Sequence, residues 1–139
     1  MKKNIQLSSQ IKQSIFETNS FLLQNEPTII EYDAFFGSKK IFNNIHSNGI
    51  ELTPSLWLYA IHGNNSEIIH LLEENHIEPT NKSYEICLKE AVKCHHNDIV
   101  NHFIKHNFDH HLIKYSFQYY NYLYFPNDIE NKTFFNIYI

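Results

Sequence analysis

Arginine is missing from this 139-residue chain, and all 11 basic residues are lysine. Without a guanidinium the chain lacks the planar fork that grips phosphates and guanine edges, which argues against nucleic acid as a partner. Cysteine occurs only as Cys87 and Cys94, too few for a disulfide scaffold. There are three glycines, and no Gly-x-Gly-x-x-Gly, phosphate-loop or paired-acid motif is present. That excludes the familiar nucleotide sites and leaves no outline of an enzyme. No apolar run approaches the ~20 residues of a membrane-spanning helix. The start, Met1 to Gln10, is basic but has no apolar stretch behind it, so no secretory leader is expected. These absences point to an intracellular, cytoplasmic protein that is not an enzyme, needs no cofactor and touches neither membrane nor nucleic acid.

What is present is a globular composition, 42% hydrophobic and 19% charged, with a net charge of −4. A single chain of this length buries roughly two-thirds of its extended surface. The 17 Asn and 19 Ile, with Lys throughout in place of Arg, suit an AT-rich coding sequence. Charge is uneven: residues 13–80 carry two lysines against nine acids, while 81–139 carry six of each. An acidic first half can steer a basic partner, although an ordinary solvated face is the favoured account of it.

Three segments share one pattern. An apolar stretch containing Ala is followed by a turn, an Ile-apolar pair, a further apolar residue and a polar stop. The first runs from Ile30 through Ala34 and Gly37 to Ile41-Phe42, Ile45 and Asn48-Gly49. The second runs from Trp57 through Ala60 and Asn64-Asn65 to Ile68-Ile69, Leu72 and Asn75-His76. The third runs from Leu88 through Ala91 and His95-His96 to Ile99-Val100, Phe103 and His106-Asn107. Ile41, Ile68 and Ile99 correspond, giving periods of 27 and 31 residues. Apolar residues at i, i+3 and i+4 predict two short helices per unit. The Gly, Asn and His residues at the turns and stops suit left-handed or capping positions.

The pattern Ala-x-x-Gly-x-x-x-Ile-x-x-x-Ile-x-x-x-Gly, spelled out by Ala34, Gly37, Ile41, Ile45 and Gly49, resembles the ankyrin repeat. The wording around residues 26–38, 51–79 and 93–100 is further similar to the divergent ankyrin families expanded in AT-rich parasitic protists. The resemblance implies an all-α, helical-hairpin solenoid. Its repeats would span about 26–52, 53–80 and 81–109, between a helical cap at 1–25 and a helical cap or partial repeat at 110–139. Periods shorter than ~33 imply short or absent β-hairpin fingers. The Thr-Pro-Leu-His hallmark is absent, since Thr53-Pro54 stands two residues early relative to Ala60. In the flanks, Ile11, Ile15, Leu22 and Leu23 have helical spacing, and Leu112, Ile113, Phe117 and Tyr120 give a further apolar stripe. Pro126 ends that stripe, and Phe134-Phe135 would open another helix.

The resemblance also implies a function: recognition of a partner protein on the concave face formed by the stacked inner helices. The contact positions it indicates are Phe35, Phe36, Glu51, His62, Lys82 and Lys93, with Phe35 or Phe36 as the exposed aromatic anchor. Two other readings compete. One is a purely structural fragment of a larger ankyrin solenoid, self-associating through its aromatic C-terminal segment. The other is a metal-binding protein, because six of ten histidines lie between 95 and 111. His102 and His106, four apart on one helix, could share a metal ion with His110 or Cys94. Phe103, Ile104 and Lys105 lie between them, so no catalytic glutamate is present and a cation opposes the metal. Hence no metal site is assigned, and His95 and His96 read as turn residues. Cys94 beside His95 lacks an orienting acid, and both cysteines fit packed helices better than catalysis. Trp57, at an apolar position equivalent to Ile30 and Leu88, reads as core.

Overall fold

The computed structural model describes residues 9–12, 14–37, 39–106 and 111–125. Every element among them is helical: α1 (Ser20–Asn25), α2 (Ile29–Phe36), α3 (Lys39–Ser47), α4 (Leu56–His62), α5 (Ser66–Glu74), α6 (Tyr84–Lys93), α7 (Asn97–Lys105) and α8 (Leu112–Gln118), with short 3-10 turns at Thr80–Lys82 and Tyr122–Tyr124. The only β-type pairing described is an isolated bridge between Gln10 and Thr28. The linkers at 48–55 and 75–83 contain no strand. The all-α expectation holds, and the three sequence units each fold as a pair of helices. The chain divides into two compact units after Lys82.

In the first unit, α2 and α3 form one hairpin and α4 and α5 the next. Helix α2 packs on α4, and α3 packs on α5, so first helices meet first helices and second meet second. The small residues of the repeat permit this approach: Ala34 and Ala60 are fully buried. Gly63, at the end of α4, lies so close to α2 that a Cβ there would stand 2.2 Å from the Phe35 carbonyl oxygen. Trp57, Leu56, Ile61, Phe42, Ile68 and Leu72 have no measurable exposure and form the core. The Trp57 indole donates to the Ile77 carbonyl at 2.8 Å, which gives its polar edge a partner. Trp57 is therefore core, as its place in the pattern predicts. Ile41 departs from its register: it is 53% exposed where Ile68 is buried. Helix α5 has α3 beside it, whereas no described second helix precedes α3.

Helix starts are chemically specified. Thr28 and Glu31 make a reciprocal capping box at α2, with the Thr28 amide donating to Glu31 at 2.9 Å. The other Glu31 oxygen accepts from Ser55 at 2.6 Å, tying the start of α4 to the start of α2. Helix ends follow a common device. After α4 and α5 the chain enters the left-handed region at Asn64 (φ 55°) and His76 (φ 56°). The next amide then reaches back five residues, Asn65 to Ala60 at 2.8 Å and Ile77 to Leu72 at 2.9 Å, the Schellman arrangement.

In the second unit, α6 pairs with α7, and α8 packs on α6. The same turn recurs, with His95 (φ 58°) after α6 and Tyr120 (φ 55°) after α8. The His96 amide returns to Ala91 at 3.1 Å and the Asn121 amide to Ser116 at 3.0 Å. Ser116, fully buried, thus stands in the place of Ala60 and Ala91. Helix α8 therefore takes the position of a first helix, in the segment read from sequence as a helical cap or partial repeat. The second-helix position at 122–124 is a single 3-10 turn.

Two expectations change. The described residues within 9–19 do not form the helix that Ile11 and Ile15 suggest. The Ile11 amide instead bonds to the Pro27 carbonyl at 2.7 Å, and Ile15 stands 92% exposed. Asn19 caps α1 through bonds to the amides of Phe21 and Leu22, which fixes the helix start nine residues later than the apolar spacing indicates. The expected stop at Asn107 and the helix at Phe134-Phe135 lie outside the described residues.

Candidate recognition surface

The repeat register decides which side chains reach solvent. The residue after the small one is Phe35, Ile61 and Val92 in the three hairpins, with exposures of 8%, 0% and 0%. Phe35 is therefore buried, correcting the expectation that it could serve as an exposed anchor. Its place on the helix turns it toward the neighbouring first helix, α4. One residue further on are Phe36, His62 and Lys93, and Phe36 is 57% exposed. Phe36 is the aromatic side chain this face offers.

Phe36 does not stand alone. Its ring centre lies 5.0 Å from Tyr32 and 4.5 Å from Phe35. On the α4 side, His62 is half-buried because Phe21 of α1 lies flat on it, with ring centres 3.8 Å apart and planes 9° from parallel. Phe21 also meets Tyr59 edge-on at 5.0 Å and lies 6.4 Å from Phe35. Burial, followed by the Glu31 charge, pushes the Tyr59 hydroxyl up to about 12, so it stays protonated. The outcome is an aromatic groove between α2 and α4, with Phe36 and Tyr32 on one side and Phe21 lying in it. Sequence reasoning passed over Phe21, choosing Leu22 and Leu23 instead. The Asn19 cap just before it was the available signal.

Beside this face lies a buried acid. Asp33 is 8% exposed, and its Oδ2 has no hydrogen-bond partner. Burial raises its carboxyl above the ordinary value near 3.8. Gly37 is needed here: a Cβ on it would collide with the Asp33 carboxylate, 1.8 Å from Oδ1.

The other indicated positions are exposed. Glu51 is exposed in the linker before α4. Lys82 pairs with Glu78 at 3.0 Å, and Lys93 pairs with Glu90 at 3.2 Å. The hydrogen bond and charge of Glu90 raise the Lys93 ammonium above its ordinary value. Such exposed pairs contribute at most about 1 kcal/mol each.

His102 and His106 do share a face of α7, with ring centres 4.7 Å apart and tilted by 52°. The third ligand considered, His110, lies outside the described residues. Cys94 is half-buried, and burial raises its thiol above 9.0, so it is protonated at neutral pH. Cys87 is fully packed and pushed up to about 12. Neither has the thiolate character of a nucleophile or a soft metal ligand. At the far end, Tyr120, Tyr122 and Leu123 are 67%, 71% and 64% exposed. Phe125 lies there between Phe117, tilted to it at 4.5 Å, and Tyr122, edge-on at 5.1 Å. No described helix is long and apolar enough to cross a membrane.

No curated protein and no solved structure matches the chain. The family model described as a domain of unknown function, DUF3447, matches residues 47–126, from the end of α3 past the turn after α8. That span is more than half of the sequence, and the chain belongs to the DUF3447 family.

Proposed function

We propose that this chain is a non-catalytic, intracellular recognition module of the ankyrin type, binding a partner protein on the face formed by its first helices. The observation that carries the reading is the exposed Phe36, set against the half-buried Tyr32, at the rim of the α2–α4 groove. A large aromatic side chain on a rigid helical support is the kind of anchor that dominates protein interfaces. The like-on-like packing of α2 on α4 and α3 on α5 supports the ankyrin-type arrangement, as do the repeated buried small residues and Schellman turns. DUF3447 domains are typically found in ankyrin-repeat-containing proteins, which fits the same reading. The acid excess of residues 13–80 favours a partner with a basic surface.

The test is capture of partners from the source cell with wild-type bait beside Phe36→Asp. The companion substitution at Phe35 is unsuitable, because an aspartate in that buried place would disturb the packing itself. A protein held by wild type and lost with Phe36→Asp, at unchanged melting temperature, supports the proposal. Identical capture by both baits contradicts it. The exposed Tyr120, Tyr122 and Leu123 favour a second reading, self-association through the C-terminal segment. That reading predicts concentration-dependent dimers that Tyr122→Asp with Leu123→Asp abolishes.

A further inference from the structure

The α2–α4 groove is occupied by the chain's own Phe21, whose contacts describe what the groove accepts. The ring is sandwiched rather than merely covered: His62 lies parallel to it at 3.8 Å, Tyr59 meets it edge-on at 5.0 Å, and Phe35 backs it at 6.4 Å. An offset stack and an edge contact are the two favoured aromatic geometries. The surroundings of Phe21 are thus three other rings, a setting that suits a flat aromatic side chain.

The segment that delivers Phe21 is weakly held. Helix α1 has six residues, too few to be stable without the groove. Its start is fixed by one side chain, Asn19, bonding to the amides of Phe21 and Leu22 at 3.0 and 3.2 Å. Its end turns through Glu26 in the left-handed region (φ 44°). Just before it, Ile15 and Phe16 project into solvent at 92% and 85% exposure. Beside it lies a half-open pocket of about 60 Å³, lined by Ile11, Glu17, Leu22, Pro27 and Tyr32 among others. Leu22 is its one buried residue, at 2% exposure, so Leu22 and Phe21 hold a helix otherwise short enough to open locally before the fold does.

We infer that residues 17–26 are an internal ligand of the α2–α4 groove, and that the external partner supplies an aromatic side chain on a short helical turn in place of Phe21. This rests on the recognition reading and names its ligand: an aromatic-anchored peptide segment that displaces α1. Wild-type chain is self-masked, so its apparent affinity is reduced by the fraction of time the strap is closed.

The probe is a fluorescein-labelled peptide of residues 17–26, with a control peptide in which the phenylalanine is alanine. Both are titrated by fluorescence anisotropy into the full wild-type chain, the full chain with Phe21→Ala, and Phe21→Ala combined with His62→Ala. The expected result is that Phe21→Ala binds the phenylalanine peptide about tenfold or more tighter than wild type does, and the control peptide weakly. Adding His62→Ala should remove most of the gain. Equal binding of both peptides, or none, by a Phe21→Ala chain of unchanged helicity overturns the inference. So does cooperative loss of helicity in Phe21→Ala, which would make Phe21 a core residue rather than an occupant. A chain that captures a partner through Phe36 yet ignores the peptide fails here alone. One that binds the peptide yet captures nothing fails only the broader recognition reading.

Discussion

The Asn65 side chain reaches out of its own hairpin to the turn before it, donating to the Gly37 carbonyl at 3.1 Å and the Ala34 carbonyl at 3.3 Å. Its own carbonyl oxygen meanwhile caps α5 by accepting from the Ile68 amide. Asn121 repeats the device in the other unit, donating to the Val92 carbonyl at 3.3 Å and to Asn97 Oδ1 at 2.9 Å. Within each unit, one residue type at the turn therefore staples a helix end to the hairpin before it. Asn121 is 2% exposed and Asn65 half-buried. Asn121→Ala should cost about 1–3 kcal/mol, because it orphans buried partners, and Asn65→Ala should cost less. Urea melts of the two variants check the order; a larger loss at Asn65 contradicts it.

The left-handed turns carry residues that are not glycine. His95 at φ 58° bears the Cβ penalty of that region, about 1 kcal/mol. His95→Gly should therefore raise the melting temperature, and His95→Val should lower it. Thermal unfolding followed by circular dichroism reads both.

Asp33 sets a pH dependence of definite sign. Its carboxyl is raised in the folded state, so the fold holds that proton more tightly than the unfolded chain does. Its contribution to stability is therefore greatest at low pH. It falls as pH climbs from the ordinary carboxylate value near 3.8 through the raised one. Asp33→Asn removes the buried charge, so it should stabilise the chain at pH 7 and leave stability near pH 3 nearly unchanged. Equal effects at both pH values would show that the charge is irrelevant.

The two thiols should behave differently. Cys87, buried and raised to about 12, should react with a thiol reagent only after unfolding. Cys94, half-buried at the end of α6, should react slowly in the native chain. Mass spectrometry of partly labelled native protein should find the label on Cys94.

The helices were legible because burial imposes its period on the chain. Ile30 with Ala34, Leu88 with Ala91 and Val92, and Ile99 with Val100 and Phe103 mark buried stripes that the structure reproduces. What stayed illegible depends on contacts distant in sequence. Nothing near Phe21 announces that it will lie on His62, 41 positions later. The likeness of α8 to the other first helices was obscured by Ser116, whose hydroxyl folds back onto the Leu112 carbonyl at 2.7 Å and so fills an alanine's place. Phe35 was legible in principle, since Ile61 and Val92 share its register and are both apolar.

Hydrogen exchange of the full chain, free and with a captured partner, tests the central claim most directly. The account predicts new protection in the last turn of α2, around Tyr32 to Phe36, and along α4. It also predicts faster exchange of α1 as Phe21 is displaced. Protection confined to residues 112–125, with α2, α4 and α1 unchanged, would contradict it.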